Sequence, residues 1–155
     1  MKGVQAMTSI WPFILLAFVA GFCLPTQAGI NTQLNQWSQS AILAATVSFA
    51  VGTIGLLVYA LILRIPWPAV GTINQHPWWM WTGGLLGAFL VASTVVLAPR
   101  LGAASMIALI IAGQMTASLA LDHFGWLGYQ VQPISGLRIL GGVLLVSGVA
   151  LIRLF

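Results

Sequence analysis

Acidic side chains are almost absent from this chain: its 155 residues include one, Asp122, set against five Lys and Arg. Charged residues of both signs make up 4% of the sequence, where a soluble domain carries about 25% because a surface in water has to be hydrated. Lipid must therefore be the solvent for most of the chain. The net charge of +4 reflects missing acids rather than a basic face, since Lys2, Arg64, Arg100, Arg138 and Arg153 stand far apart in the sequence. Nucleic acid is excluded as a partner, because no stripe of cations exists to follow phosphates. Cys23 is the single cysteine, which rules out a disulfide framework and any multi-cysteine metal cluster. With two His and one Asp besides, neither a metal site nor a cofactor is expected. Enzyme chemistry is starved in the same way, since a nucleophile, a base and an orienting group must lie within reach of one another. The titratable candidates are nearly confined to the Asp122-His123 pair, so an enzyme is the remotest of the functional classes considered.

What the chain has in quantity is apolar residues, at 60%. A helix crossing a bilayer needs about 20 of them in succession, at about 1.5 Å rise across about 30 Å of hydrocarbon. Five segments qualify: Ile10 to Ile30, Ala41 to Leu63, Trp78 to Ala98, Gly102 to Leu121 and Gly136 to Leu154. The expectation is an all-α, polytopic membrane protein, a single transmembrane domain over residues 1–155 with no soluble domain left over. Lys2, the apolar run to Leu24 and the stretch Pro25-Thr26-Gln27-Ala28-Gly29 together imitate a secretory signal. The long uncharged lead and Gln27 in the cleavage region argue instead for a retained first helix.

The connections constrain the topology. Asn31 to Ser40 is polar and able to extend the first helix by a turn or two, whereas Pro66, Pro68, Gly71 and Pro77 forbid a continuous helix between the second and third spans. Pro99-Arg100-Leu101-Gly102 reads as a tight reversal, which makes the third and fourth spans antiparallel neighbours. Trp67, Trp78, Trp79, Trp81 and Trp126 flank span ends, where amphipathic rings sit at head-group depth. Ser48 with Gly52, Gly83 with Gly87, Gly84 with Ala88 and Gly113 with Ala117 are small-xxx-small pairs, and Gly141 and Gly148 share a face; such residues let helix backbones approach closely.

Five spans place Lys2, Arg64 and Arg138 on one side and Arg100 and Arg153 on the other. Orientation follows the Lys/Arg asymmetry of short loops, and this asymmetry is feeble. Such a chain is able to insert both ways, and two oppositely inserted copies form an inverted pair, as many secondary transporters do within one chain; the alternative is that a partner, or Lys2 and Arg64 alone, fixes one orientation.

Polar groups inside the spans carry the functional signal, because hydrocarbon offers them no partner. Gln114, Ser118 and Asp122 are spaced i, i+4, i+8 along one face of the fourth span, over about 12 Å of axis. Cys23, Gln27 and Asn31 repeat the spacing in the first, where Pro25 removes a donor and is able to break the helix. One reading is a common cavity that hydrogen-bonds a polar solute; the other is that Gln27 and Gln114 join helices. Asp122 ends the fourth span and Arg138 opens the fifth on the same side, which suits an ion pair closing the loop, with proton coupling as the alternative. His123 is a second coupling candidate, and its place at the membrane edge suits plain solvation as the alternative. No span carries an ionisable group at mid-depth, so neither a buried coupling carboxylate nor a permanent counter-charge for a cationic solute is expected.

The runs Leu24-Pro25-Thr26-Gln27-Ala28-Gly29-Ile30-Asn31, Ser48-Phe49-Ala50-Val51-Gly52-Thr53, Pro99-Arg100-Leu101-Gly102-Ala103-Ala104 and Gly113-Gln114 continuing to Asp122-His123-Phe124-Gly125 occur in this order. Together they resemble the YdcZ-type inner-membrane transporters of bacteria, over nearly the whole chain. The resemblance implies the drug/metabolite transporter superfamily and a multi-pass protein of the bacterial inner membrane. It also implies one five-helix half of an architecture that larger members complete with two halves inserted in opposite senses. Asp122 falls near a place where larger members often carry Glu. The small multidrug resistance branch of the superfamily has a Glu in its first helix where this chain offers Gln27, so that branch's coupling chemistry is not carried over.

The expected function is secondary transport or export of small metabolites or drug-like solutes, with lipid and a small-molecule substrate as partners. The assembly is expected to be a homodimer, antiparallel in one version, or a heterodimer with a paralogous chain. Gln27, Asn31, Gln114 and Ser118 are the substrate-binding candidates, and Asp122, His123 and Pro25 the coupling or gating candidates. The competing class is a non-transporting membrane subunit that stabilises or regulates a partner. Reporter fusions at Phe155 are expected to reveal both orientations; a single orientation with no inverted partner removes the antiparallel pair.

Overall fold

The computed structural model describes residues 10–69, 71–72 and 76–154. Lys2 and Phe155 lie outside the described residues. Helices α1 (Trp11–Ser38), α2 (Ala41–Ile62), α3 (Gly83–Leu101), α4 (Ala103–Phe124) and α5 (Gly136–Leu154) account for most of the chain. Each is long and apolar enough to cross a membrane, α3 with the short 3-10 turn Trp78–Thr82 that leads into it. No strand occurs among the described residues. The chain is all-helical, as its composition requires.

Local chemistry sets the helix ends. Helix α1 runs past its apolar stretch to 28 residues, about 42 Å at 1.5 Å per residue. That exceeds the hydrocarbon thickness, so the polar turns carrying Gln33, Asn35, Gln36 and Ser38 extend beyond it. Gln39 ends the helix in a left-handed conformation, and Ser40 caps α2 by accepting a hydrogen bond from the Leu43 N–H at 3.3 Å. Pro25 does not break α1, which continues through it. The cost of the proline is confined to one lost donor, opposite the carbonyl of Gly21. The reversal expected over Pro99 to Gly102 narrows to a single residue, because α3 continues through Pro99 to Leu101 and α4 begins at Ala103. Gly102 takes φ 77°, a conformation that an L side chain resists, and its N–H closes α3 on the Ala98 carbonyl at 3.0 Å.

The core is small and lies toward one end. Ala28 and Asn31 of α1, Ala44 and Ala45 of α2, Val91, Thr94 and Val95 of α3, and Met106 and Ala108 of α4 are buried. Antiparallel order brings these stretches to the end where α1 turns into α2 and α3 into α4. At the opposite end α1 residues 11–23, α2 residues 49–59 and α3 residues 83–86 are exposed throughout. Helices α1, α2 and α3 are therefore closely packed toward one end of the membrane and more open toward the other. Close approach rests on the alanines, which let backbones meet where lipid supplies no hydrophobic drive. The small-xxx-small pairs mostly play no such part: a Cβ at Gly52, Gly83, Gly84, Gly113, Gly141 or Gly148 would meet nothing within 4 Å. Gly87 is the exception, since a Cβ there would stand 3.3 Å from the Phe49 ring.

Helix α5 packs against α4 and against no other helix. Exposed Trp11, Trp67, Trp78, Trp79, Trp81 and Trp126 gather at the splayed end, and Trp37 stands at the other. The loop into α5 begins at Gly125, which adopts φ 64° and donates its N–H to the Leu121 carbonyl. A Cβ at this glycine would fall 2.6 Å from Val131 Cγ2. Gly125→Ala is accordingly expected to cost about 2–3 kcal/mol, from the left-handed backbone and the clash together. Gly128→Ala, also at positive φ but with open space around it, is expected to cost about 1–2 kcal/mol. Thermal unfolding in detergent measures both, and equal losses would contradict the packing argument.

Candidate functional site

The polar residues of the spans divide into three places. Gln27 faces α2, where its Nε2 donates to Ser48 Oγ at 3.5 Å. Gln27, Ser48, Phe49, Gly52, Thr53 and Leu56 line a cleft of about 200 Å³ between these helices. Counting from the α1–α2 turn, Gln27 and Ser48–Thr53 fall near the middle of the membrane. Asn31, one turn along from Gln27, is withdrawn into the core at 2% exposure, and its Nδ2 has no hydrogen-bond partner.

Gln114 and Ser118 form the second place. They are exposed on α4, Gln114 halfway along its length and Ser118 one turn further toward its C-terminal end. Ala112, Met115, Thr116 and Leu119 turn instead toward α5 and line the cavity of about 700 Å³ between the two helices. At 100° per residue, Gln114 points to the opposite side of α4 from that cavity. Within the chain the four substrate-binding candidates therefore do not converge: Gln27 lines a cleft, Asn31 is enclosed, and Gln114 and Ser118 face outward.

The third place is the clasp at the α4–α5 loop. Arg138 Nη2 donates to Asp122 Oδ2 at 2.5 Å, and the two side chains are 29% and 22% exposed. Arg138 Nη1 donates to the Gln132 carbonyl at 2.7 Å, while the Gln132 N–H donates to the Asp122 carbonyl at 2.8 Å. His123 Nδ1 accepts the Ile134 N–H at 3.1 Å, which puts the ring proton on Nε2. The acid, one histidine and one arginine thus tie the loop to both helices. Gln132 and Ile134 were not visible as partners in the sequence, because they contribute backbone groups. Ser48 and Thr53 were visible only as part of a small-residue run, and their hydroxyls give the cleft its polarity.

Residues 12–151 match the family described as "Putative inner membrane exporter, YdcZ". The chain belongs to this family. It is 31% identical over 142 residues to the Inner membrane protein YdcZ of Escherichia coli (strain K12), an alignment covering 90% of this chain and 94% of that protein. No solved structure gives a significant match. The family is one of membrane exporters rather than enzymes, and the five apolar helices suit a multi-pass protein of the inner membrane. No group of His, Cys, Asp and Glu able to hold a metal occurs among the described residues.

Breaking the clasp by Asp122→Asn or Arg138→Gln is expected to lower stability by about 1–2 kcal/mol, since the pair is only partly buried. The double variant should cost little more than either single one. Thermal unfolding of the four proteins measures the coupling, and simple additivity would show that the two side chains act separately.

Proposed function

We propose that the protein exports small, uncharged or weakly polar solutes as a two-protomer assembly, with the polar face of α4 turned toward the second protomer. The observation that carries this reading is the exposure of Gln114 and Ser118 at mid-membrane, on the side of α4 away from α5. An amide and a hydroxyl turned to hydrocarbon are costly, and a second copy facing this side gives them both partners and a water-filled space. Gln27 joins them from α1, and the splayed end of the bundle provides the way in. Alternating access then arises when one five-helix unit rocks against the other about the close-packed end. Asp122, His123 and Pro25 act around this path rather than in it: the first two hold α5 to α4, and Pro25 leaves one carbonyl of α1 free beside Gln27.

Family membership supports export in general, and the absence of a charged side chain among the described residues lining the Gln27 cleft supports a neutral cargo. The partner is a second copy of this chain or a paralogous chain. In vesicles reconstituted with the purified protein, Gln114→Ala is expected to cut solute flux at least tenfold while melting stays within a few degrees. Ser118→Cys, in a Cys23→Ala background, is expected to give cross-linked dimers with a short bifunctional maleimide. Unchanged flux together with loss of a co-purifying membrane partner would instead support a non-transporting subunit.

A further inference from the structure

The hydroxyls inside the spans follow a pattern with two informative departures. A threonine or serine in a lipid-embedded helix ordinarily donates to a carbonyl of the preceding turn, which satisfies it without any neighbour. Thr26 does so to Phe22 at 2.8 Å, Thr32 to Ala28 at 2.9 Å, Thr46 to Ile42 at 2.8 Å and Thr94 to Val91 at 2.8 Å. Thr116 and Ser147 donate to Ala112 and Val143, each at 2.9 Å. Thr53 is the one described threonine whose hydroxyl makes no hydrogen bond among the described residues, and it lines the α1–α2 cleft. Ser48, on the same cleft, accepts from Gln27 but donates to no described group. Ser93, Ser105 and Ser118 are likewise uncommitted, yet none of them lines this cleft.

Three uncommitted polar side chains thus converge on one small space near mid-membrane. Gln27 has two donor hydrogens and an acceptor oxygen, of which one donor is engaged, at the 3.5 Å outer limit of a hydrogen bond. No Asp, Glu, Lys, Arg or His lines the cleft, and Phe49 and Leu56 supply an apolar wall. Its 200 Å³ is room for several waters at about 30 Å³ each, or for one polar group and part of a ring.

We infer that the cleft formed by Gln27, Ser48 and Thr53 is a solute-binding subsite that selects an uncharged group able both to donate and to accept, a hydroxyl or a carboxamide, carried on an apolar body. Such a group satisfies the Ser48 and Thr53 hydroxyls and the free end of Gln27 at once. A carboxylate finds no cation in the cleft, and an ammonium finds no anion. A purely apolar group leaves the Thr53 hydroxyl, the Ser48 hydroxyl proton and the free end of Gln27 without partners, which costs more than its burial returns. The inference deepens the export reading by naming the kind of cargo.

The test uses the full chain in lipid nanodiscs with Cys23→Ala and Gly52→Cys, since a Cβ at position 52 would meet nothing within 4 Å and residue 52 lines the cleft. The rate of alkylation of the new thiol by N-ethylmaleimide is measured against benzamide, benzoate, benzylamine and toluene at equal millimolar concentrations. Benzamide is expected to slow alkylation at least fivefold and the other three less than 1.5-fold, as order-of-magnitude expectations from unpaired polar groups. Adding Thr53→Val or Ser48→Ala should remove most of the benzamide protection, and Thr53→Ser should retain it. Protection by toluene equal to that by benzamide would mean an apolar occupant and would overturn the inference. So would protection unaffected by Thr53→Val, or no protection by any probe. Because alkylation needs no transport, vesicles that carry no flux while benzamide still protects would remove the export reading and leave the subsite standing.

Discussion

Everything in this chain depends on four helices coming close enough to touch in a solvent as apolar as their own side chains. Ala28, Ala44, Ala45 and Ala108 remove the bulk that would hold the backbones apart, and Val91, Val95 and Met106 fill what is left. Dispersion between closely packed atoms then does what the hydrophobic effect does in water. Because these residues cluster toward the end with the short turns, the helices are free to diverge at the other end. A protein with cores at both ends would be a rigid plug.

The polar groups follow the same constraint. Most hydroxyls bond to their own helix and drop out of the problem, and the loop into α5 uses Asp122, His123 and Arg138 to satisfy backbone and side chains together at the membrane edge. Among the described groups left uncommitted, Gln27, Ser48 and Thr53 share one cleft, while Gln114 and Ser118 stand on the outward face of α4 and Ser93 and Ser105 stand singly. Asn31 is a different case. Its Nδ2 is enclosed and unpaired, at a cost of about 1–3 kcal/mol for a buried donor without a partner, and no described side chain relieves it.

The five spans were legible in the sequence because length and apolarity alone decide what crosses a bilayer, and the Asp122-Arg138 pair because so few charges leave so few choices. The family was legible from runs of residues in order. The extent of α1 was less so, since Asn31 to Ser38 is polar and reads equally as loop or helix, and the helix won through all of it. Pro25 looked like a break, but a proline costs a helix one hydrogen bond that a long span can lose. Glycine spacing pointed mostly to the wrong contacts: apart from Gly87, the close approaches fall on alanines such as Ala44, Ala45 and Ala108. Sequence spacing placed Gln27 and Asn31 on one stripe, yet the 40° between them is enough to open one to a cleft and close the other in the core.

Gly102 joins α3 to α4 with a single non-helical residue, so the two helices form a hairpin with almost no slack at its bend. The 19 residues of α3 make an arm of about 28 Å, and a rotation of roughly 10° at that one glycine sweeps the far tip by about 5 Å. A small backbone torsion at the bend is thereby converted into a displacement of several ångströms at the far end of the arm.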